Sequence, residues 1–90
     1  MIKRLHLKIS GQVQGVSFRF YAQQEAQELN LTGFIRNLND SSVEIVAEGE
    51  EENLKKFLAW SKKGPELANI ERVEFNWDKA TGEFSNFEIK

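Results

Sequence analysis

The feature that most constrains this chain is a change of hydrophobic period, from two to about 3.6 and back, which happens twice. Leu5, Leu7 and Ile9 alternate with His6, Lys8 and Ser10, the pattern of a strand buried on one face. From Phe18 the apolar positions become Phe18, Ala22, Ala26 and Leu29, with Arg19, Gln23, Gln24 and Glu28 elsewhere. That spacing predicts a helix. Asn30 is its stop, because asparagine tolerates the left-handed conformation that ends helices. Gly33 to Asn37 and Val43 to Glu48 then flank the polar turn Leu38 to Ser42, two strands of a hairpin. A second helix is predicted from about Glu50 to Lys63, with Leu54, Phe57, Leu58 and Ser61 on one face. Glutamates 50 to 52 sit at its positive end and Lys62 and Lys63 at its negative end, before Gly64-Pro65 stops it. Ile70 to Trp77 alternates again, with Val73, Phe75 and Trp77 on one side, and Phe87 and Ile89 mark a short last strand.

The order βαββαβ, followed by a small terminal strand, predicts an α+β, ferredoxin-like split β-α-β sandwich. Its two helices cover one face of an antiparallel sheet. Residues 1–90 make a single domain, with neither internal repeat nor linker.

Composition removes several kinds of function. The chain has no cysteine, so disulfides, thiolate chemistry and cysteine-held metals are out. A formal net charge of −2 offers no basic excess for a nucleic-acid backbone, and nucleic acid is not expected as a partner. The first ten residues alternate rather than forming an apolar leader core, and no apolar run approaches the roughly 20 residues of a membrane span. The expectation is a cytoplasmic, monomeric domain with no membrane partner. His6 is the only histidine and is read as a surface residue, not a ligand or base. The glutamates at 50 to 52 are read as helix-dipole partners, not a metal site. With no other donor cluster, neither metal nor cofactor is expected.

The topology brings particular residues together. The first and second strands run parallel with the third between them, so their C-terminal ends share one edge of the sheet. The glycine-bearing loop Gly11 to Ser17 leaves the first strand at that edge and feeds the first helix. Asn37 closes the second strand there, about 10 Å away across two inter-strand spacings. Ile35 and Asn37 share a direction by parity, so an Ile35 facing the helices leaves Asn37 facing the loop. Arg19 begins the helix beside it. A helix N-terminus, glycines and a guanidinium together suit a phosphate. From these residues alone, a tight strand-to-helix turn with an ordinary first-turn arginine is the simpler reading.

Gly11-Gln12-Val13-Gln14-Gly15-Val16-Ser17-Phe18-Arg19 resembles the first signature of the acylphosphatase family. Gly33-Phe34-Ile35-Arg36-Asn37 resembles the second, and Val43 to Gly49 continues it. Lys63-Gly64-Pro65 and the Phe87-Glu88-Ile89 ending extend the likeness over nearly the whole chain. The resemblance implies a cofactor-free enzyme that hydrolyses small-molecule acyl phosphates. It implies that the backbone of Gln14, Gly15, Val16, Ser17, Phe18 and Arg19 cradles the phosphoryl group. Arg19 would bind its oxygens and Asn37 would orient the attacking water. Inorganic phosphate or sulfate should then compete for the cradle. One position departs from the family pattern: Ser41 stands where the turn usually carries glycine. A positive φ at this turn falls either on Ser41, which disfavours it, or on Asn39 or Asp40.

The implied chemistry suits the few groups available. The leaving carboxylate has a conjugate acid of pKa about 4 to 5 and departs without a proton. Phosphoryl transfer then rests on positioning and on charge stabilisation. A phosphate monoester, whose alkoxide needs an acid, would be a poor substrate. A ferredoxin-like RNA-binding module is the rival reading, but Val43 to Glu48 offers two acids and no aromatic residue where such a module carries stacking rings. A catalytically inactive relative retained for binding has only Ser41 in its favour. Phe20 and Tyr21 are read as lining the acyl side of the cleft or packing in the core, and Trp60 and Trp77 as packing residues.

Overall fold

A computed structural model describes residues 1–90, with β1 at Ile2–Gln12, α1 at Phe18–Glu28, β2 at Thr32–Asn37 and β3 at Val43–Glu50. α2 follows at Glu51–Lys63, then β4 at Asn69–Lys79 and β5 at Phe87–Ile89. The sheet order is β4-β1-β3-β2-β5. The expected arrangement is present: β3 lies antiparallel between β1 and β2, and β4 is antiparallel to β1. One edge corrects the expectation of a wholly antiparallel sheet. β5 pairs parallel to β2, Gly33 with Phe87 and Ile35 with Ile89, so the sheet is mixed there.

The period-two residues do what their spacing requires. Leu5, Leu7 and Ile9 oppose Ala47, Ile45 and Val43, and all are fully buried. Above them α1 lays Phe18, Ala22 and Ala26, and α2 lays Leu54 and Phe57. Trp60 packs against Phe18 and Phe57, with ring centroids 5.5 and 5.9 Å apart. The small alanines let α1 sit close to the sheet, while α2 contributes the bulk. Asn30 takes φ 57 after α1, and Gly64 takes φ 69 after α2, as their stop signals imply. Glu51 and Glu52 occupy the first turn of α2, where their charge suits the dipole. Glu51 also bridges Lys3 and Lys55.

The opposite face is a charged ladder. Glu48 is buried and takes hydrogen bonds from Arg4 and from the Thr81 and Gly82 amides. Burial pushes its carboxyl up, but those donors outweigh it and hold the pKa below the usual range. His6 lies in the same ladder, its Nε2 2.8 Å from Glu44 Oε2, and Glu44 also pairs with Arg36. The lone histidine is thus hydrogen-bonded into a structural side-chain network.

Trp77 and Phe75 correct the packing expectation. They share the helix-side face by register, opposite Leu5 and Leu7, yet remain 36% and 43% exposed. The helices cover β1 and β3 and reach only partly over edge strand β4.

In the β2–β3 turn the left-handed residue is Ser41, at φ 73. Its surroundings hold it there. Asp40 accepts from the Ser42 amide at 3.1 Å and from the Ser42 hydroxyl, and pairs with Lys8 at 2.8 Å. Lys8 and Ser42 together hold the Asp40 carboxyl well below the usual carboxylate range. An L-residue in this conformation costs about 1–2 kcal/mol, and glycine gives back roughly 0.5–1 kcal/mol through unfolded-state entropy. Ser41→Gly should therefore stabilise the fold by up to about 1.5 kcal/mol, seen as a rise of a few degrees in Tm. An unchanged or lower Tm would show that the turn carries no strain at Ser41.

Candidate active site

The site begins where β1 ends. The β1–β4 register slips between Ser10 and Gly11, and a side chain at Gly11 would meet the Asn69 carbonyl at 2.1 Å. Only glycine lets the two backbones close here, and the chain then leaves the sheet toward α1. Gly15 has φ 76 and Ser17 has φ 61, while Val16 between them is not left-handed. Alternation of this kind is the backbone pattern found in anion-binding nests, where successive N–H groups turn toward one point. The loop opens directly into the first turn of α1, whose leading amides have no intrahelical acceptor. Ser17 is the N-cap of α1, yet its side chain makes no capping bond. A strained, uncapped serine at this point leaves the helix end open to a ligand.

Arg19 stands on that first turn. The chain has four arginines, and Arg4, Arg36 and Arg72 each pair with glutamate. Arg19 pairs with no side-chain carboxylate. Its one polar contact is Nη1 to the Lys90 main-chain oxygen at 3.4 Å, the outer limit of a hydrogen bond. Gly15, Ser17, Phe18 and Arg19, with Val13, Phe20 and Ile89, line a cleft of about 360 Å³. A permanent positive charge and the positive-φ loop thus line one small, partly apolar cleft.

The structure does not bring every predicted residue to that cleft. Gln14, Val16 and Asn37 are not among its lining residues. Asn37 ends β2 and opposes Val43, which opposes Ile9, so one row across the sheet links it to the strand that feeds the loop. Parity with the buried Ile35 puts it on the helix side, and it is exposed. A main-chain path joins it to Arg19: the Lys90 amide donates to Ile35 at 2.9 Å, and the Lys90 carbonyl receives Arg19. Phe20 lines the cleft, whereas Tyr21 faces a separate groove beside Trp60. Both rings are exposed, which rules out the core-packing alternative for them.

Gln14 does something that sequence reasoning missed. Its amide Nε2 donates to the carbonyls of Leu38 and Ser42, at 3.0 and 2.9 Å. The first loop thereby clasps the turn that follows Asn37. Nothing periodic marks such a link, since it spans 24 residues in one bond and 28 in the other.

Residues 5–89 match the family model described as Acylphosphatase. The chain belongs to the acylphosphatase family. It is 44% identical over 88 residues to an acylphosphatase of Methylococcus capsulatus, covering 98% of this chain and 96% of that one. It is 50% identical over 86 residues to an acylphosphatase of Marinobacter nauticus, covering 96% and 94%. The crystal structure of acylphosphatase from Bacillus subtilis superposes with a TM-score of 0.94 at 31% identity, covering 100% of this chain and 99% of that one. Membership carries the activity with it: this acylphosphatase family member is an enzyme that hydrolyses acyl phosphates. No helix is long and apolar enough to cross a membrane.

The clasp predicts a measurable coupling between loop and turn. Gln14→Ala removes two hydrogen bonds, each contributing about 1 kcal/mol, so stability should fall by about 1–2 kcal/mol. The Leu38 amide, which bonds to Ser42 at 2.8 Å, should exchange with solvent faster than in the parent. Unchanged exchange at Leu38 would mean that the clasp does not hold the turn.

Proposed function

We propose that the amides of residues 14–19 and the Arg19 guanidinium hold the phosphoryl group of an acyl phosphate, and that Asn37 orients the attacking water. The observation that carries this reading is the alternation of φ at Gly15 and Ser17 beside the one arginine without a side-chain carboxylate partner. The Arg19 fork and the converging amides meet the equatorial oxygens, where charge builds as the P–O bond breaks. Water attacks phosphorus opposite the leaving oxygen. The products are the carboxylate, which leaves unprotonated, and inorganic phosphate.

Neither side chain serves as a base. Arginine stays protonated, and an asparagine carboxamide can only accept the water's hydrogen bond through its oxygen. The water's proton passes to the phosphoryl oxygens of the substrate. No group of three or more histidine, cysteine or acidic side chains is arranged to hold a metal ion, so the reaction should run at full rate under chelation. Free phosphate or sulfate occupies the same cradle and competes. The proposal extends to a cytoplasmic, monomeric enzyme.

The two side chains differ in when they act, and that makes them separable. Arg19 attracts the phosphoryl oxygens in ground and transition state alike. Arg19→Ala should therefore lose phosphate inhibition and turnover together, and Arg19→Lys should not restore them, because a point charge lacks the planar fork. Asn37 engages the water. Asn37→Ala should lower kcat by about 10²–10³ while the phosphate inhibition constant changes little. Near-normal turnover in Asn37→Ala, or a loss of phosphate binding equal to that of Arg19→Ala, contradicts this division.

A further inference from the structure

Gln14 takes part in two structures at once. Its backbone belongs to the loop proposed to cradle the phosphoryl group, while its side chain is committed to the turn that begins one residue after Asn37. The carboxamide nitrogen carries two hydrogens, and they go to two different carbonyls, Leu38 at 3.0 Å and Ser42 at 2.9 Å. Both acceptors are carbonyl oxygens, so only the nitrogen end of the side chain can face them. Each already holds a donor from within the turn. Ser42 receives the Leu38 amide at 2.8 Å, and Leu38 receives the Ser41 amide at 3.3 Å. Gln14 thus ties the first residue of the turn to the last.

Asn37 depends on such a tie. It is exposed, and its carboxamide makes no hydrogen bond within the chain. Its aim therefore comes from the main chain that carries it. The peptide group after Asn37 contains the Leu38 N–H, so the bond from Leu38 to Ser42 fixes that group's rotation, and Gln14 grips the acceptor of the same bond. Both ends of this strut are anchored. Val13, just before Gln14, is buried in the core, and so are Ser42 and Val43 at the far end of the turn. The turn's other tie is the Lys8–Asp40 pair, which is exposed, and exposed ion pairs contribute little.

On the roles proposed above for the loop and for Asn37, we infer that Gln14 is a positioning residue for hydrolysis. Acting through the 38–42 turn, its side chain sets the angle and distance between the water that Asn37 orients and the phosphorus that its own loop holds. One residue thereby couples the two halves of the site. A reaction without an acid–base group lives on in-line alignment, and a misplacement of about 1 Å can cost about 10²-fold in rate. A neutral carboxamide suits the task, because it donates twice and never titrates.

The test is steady-state hydrolysis of a simple acyl phosphate, with inhibition by inorganic phosphate, on variants shown to be folded. Gln14→Ala removes the strut, and Gln14→Met fills its space without a donor. Either should lower kcat about tenfold or more while the phosphate inhibition constant stays within about twofold of the parent. In an Asn37→Ala background the same substitutions should cost less than about twofold further, because no carboxamide remains to be misaimed. Parental kcat in both single variants overturns the inference. So does a loss that multiplies in full with that of Asn37→Ala, which would mean that Gln14 acts apart from Asn37. Phosphate inhibition that weakens as much as kcat falls overturns it too, by placing the effect in the cradle. Asn37→Ala alone reports on the reading beneath: near-normal turnover there removes the water role itself, whereas an impaired Asn37→Ala with any of the three results above removes only the role of Gln14.

Discussion

A short stretch of backbone held against its own preference underlies everything else in this molecule. Between the end of β1 and the start of α1 the chain must leave the sheet, reverse, and enter a helix whose first amides remain open. Gly15 and Ser17 adopt positive φ to do so, and at Ser17 this is a conformation that an L-residue resists. The strain has no local compensation, for Ser17 makes no capping bond. It is held in place from both sides. Phe18 is locked beneath Trp60, and Gly11 is pressed against the Asn69 carbonyl. Core packing on one side and edge-strand closure on the other thus support a loop that would otherwise relax.

The sheet supplies the second half of the arrangement. Placing β3 between β1 and β2 makes the two outer strands parallel, so the loop after β1 and the end of β2 share an edge. Gln14 then joins them directly, from loop to turn, and the Lys90 main chain joins Arg19 to β2. In the proposed reaction the phosphoryl-holding groups and the water-orienting group belong to different elements, so these links set their relative aim. Phosphoryl transfer that relies on position rather than on acid–base groups is sensitive to such links.

Much of this was legible in the sequence, for physical reasons that can be named. Strands and helices announced themselves because each buries one face, and Leu5, Leu7, Ile9, Ala22 and Phe57 had only one way to be buried together. Asn30 and Gly64 marked helix ends because few residues accept their conformation. Other features left no trace of that kind. The direction of β5 depends on the path of the 80–86 segment, and three residues carry no orientational signal. The alternation of Val73, Phe75 and Trp77 gave the correct face but not the extent of helix cover over an edge strand. Whether Ser41, Asn39 or Asp40 would be left-handed was decided by the Lys8–Asp40–Ser42 bonds, one of them from another strand. The Arg19 and Asn37 pairing of roles came from resemblance. What the structure adds is that Arg19 has no side-chain carboxylate partner and stands beside the positive-φ loop, while Asn37 lies outside the cleft lining on the same sheet edge.

The central claim is that the strained loop is an anion cradle, and it can be tested without any catalytic readout. Titrate inorganic phosphate into isotope-labelled protein and follow the backbone amides by NMR. The amides of Gly15 through Arg19 should shift together with a single saturating affinity, while those of β4 and α2 stay still, and Arg19→Ala should abolish the response. Shifts that centre elsewhere, or that persist unchanged in Arg19→Ala, would contradict the account.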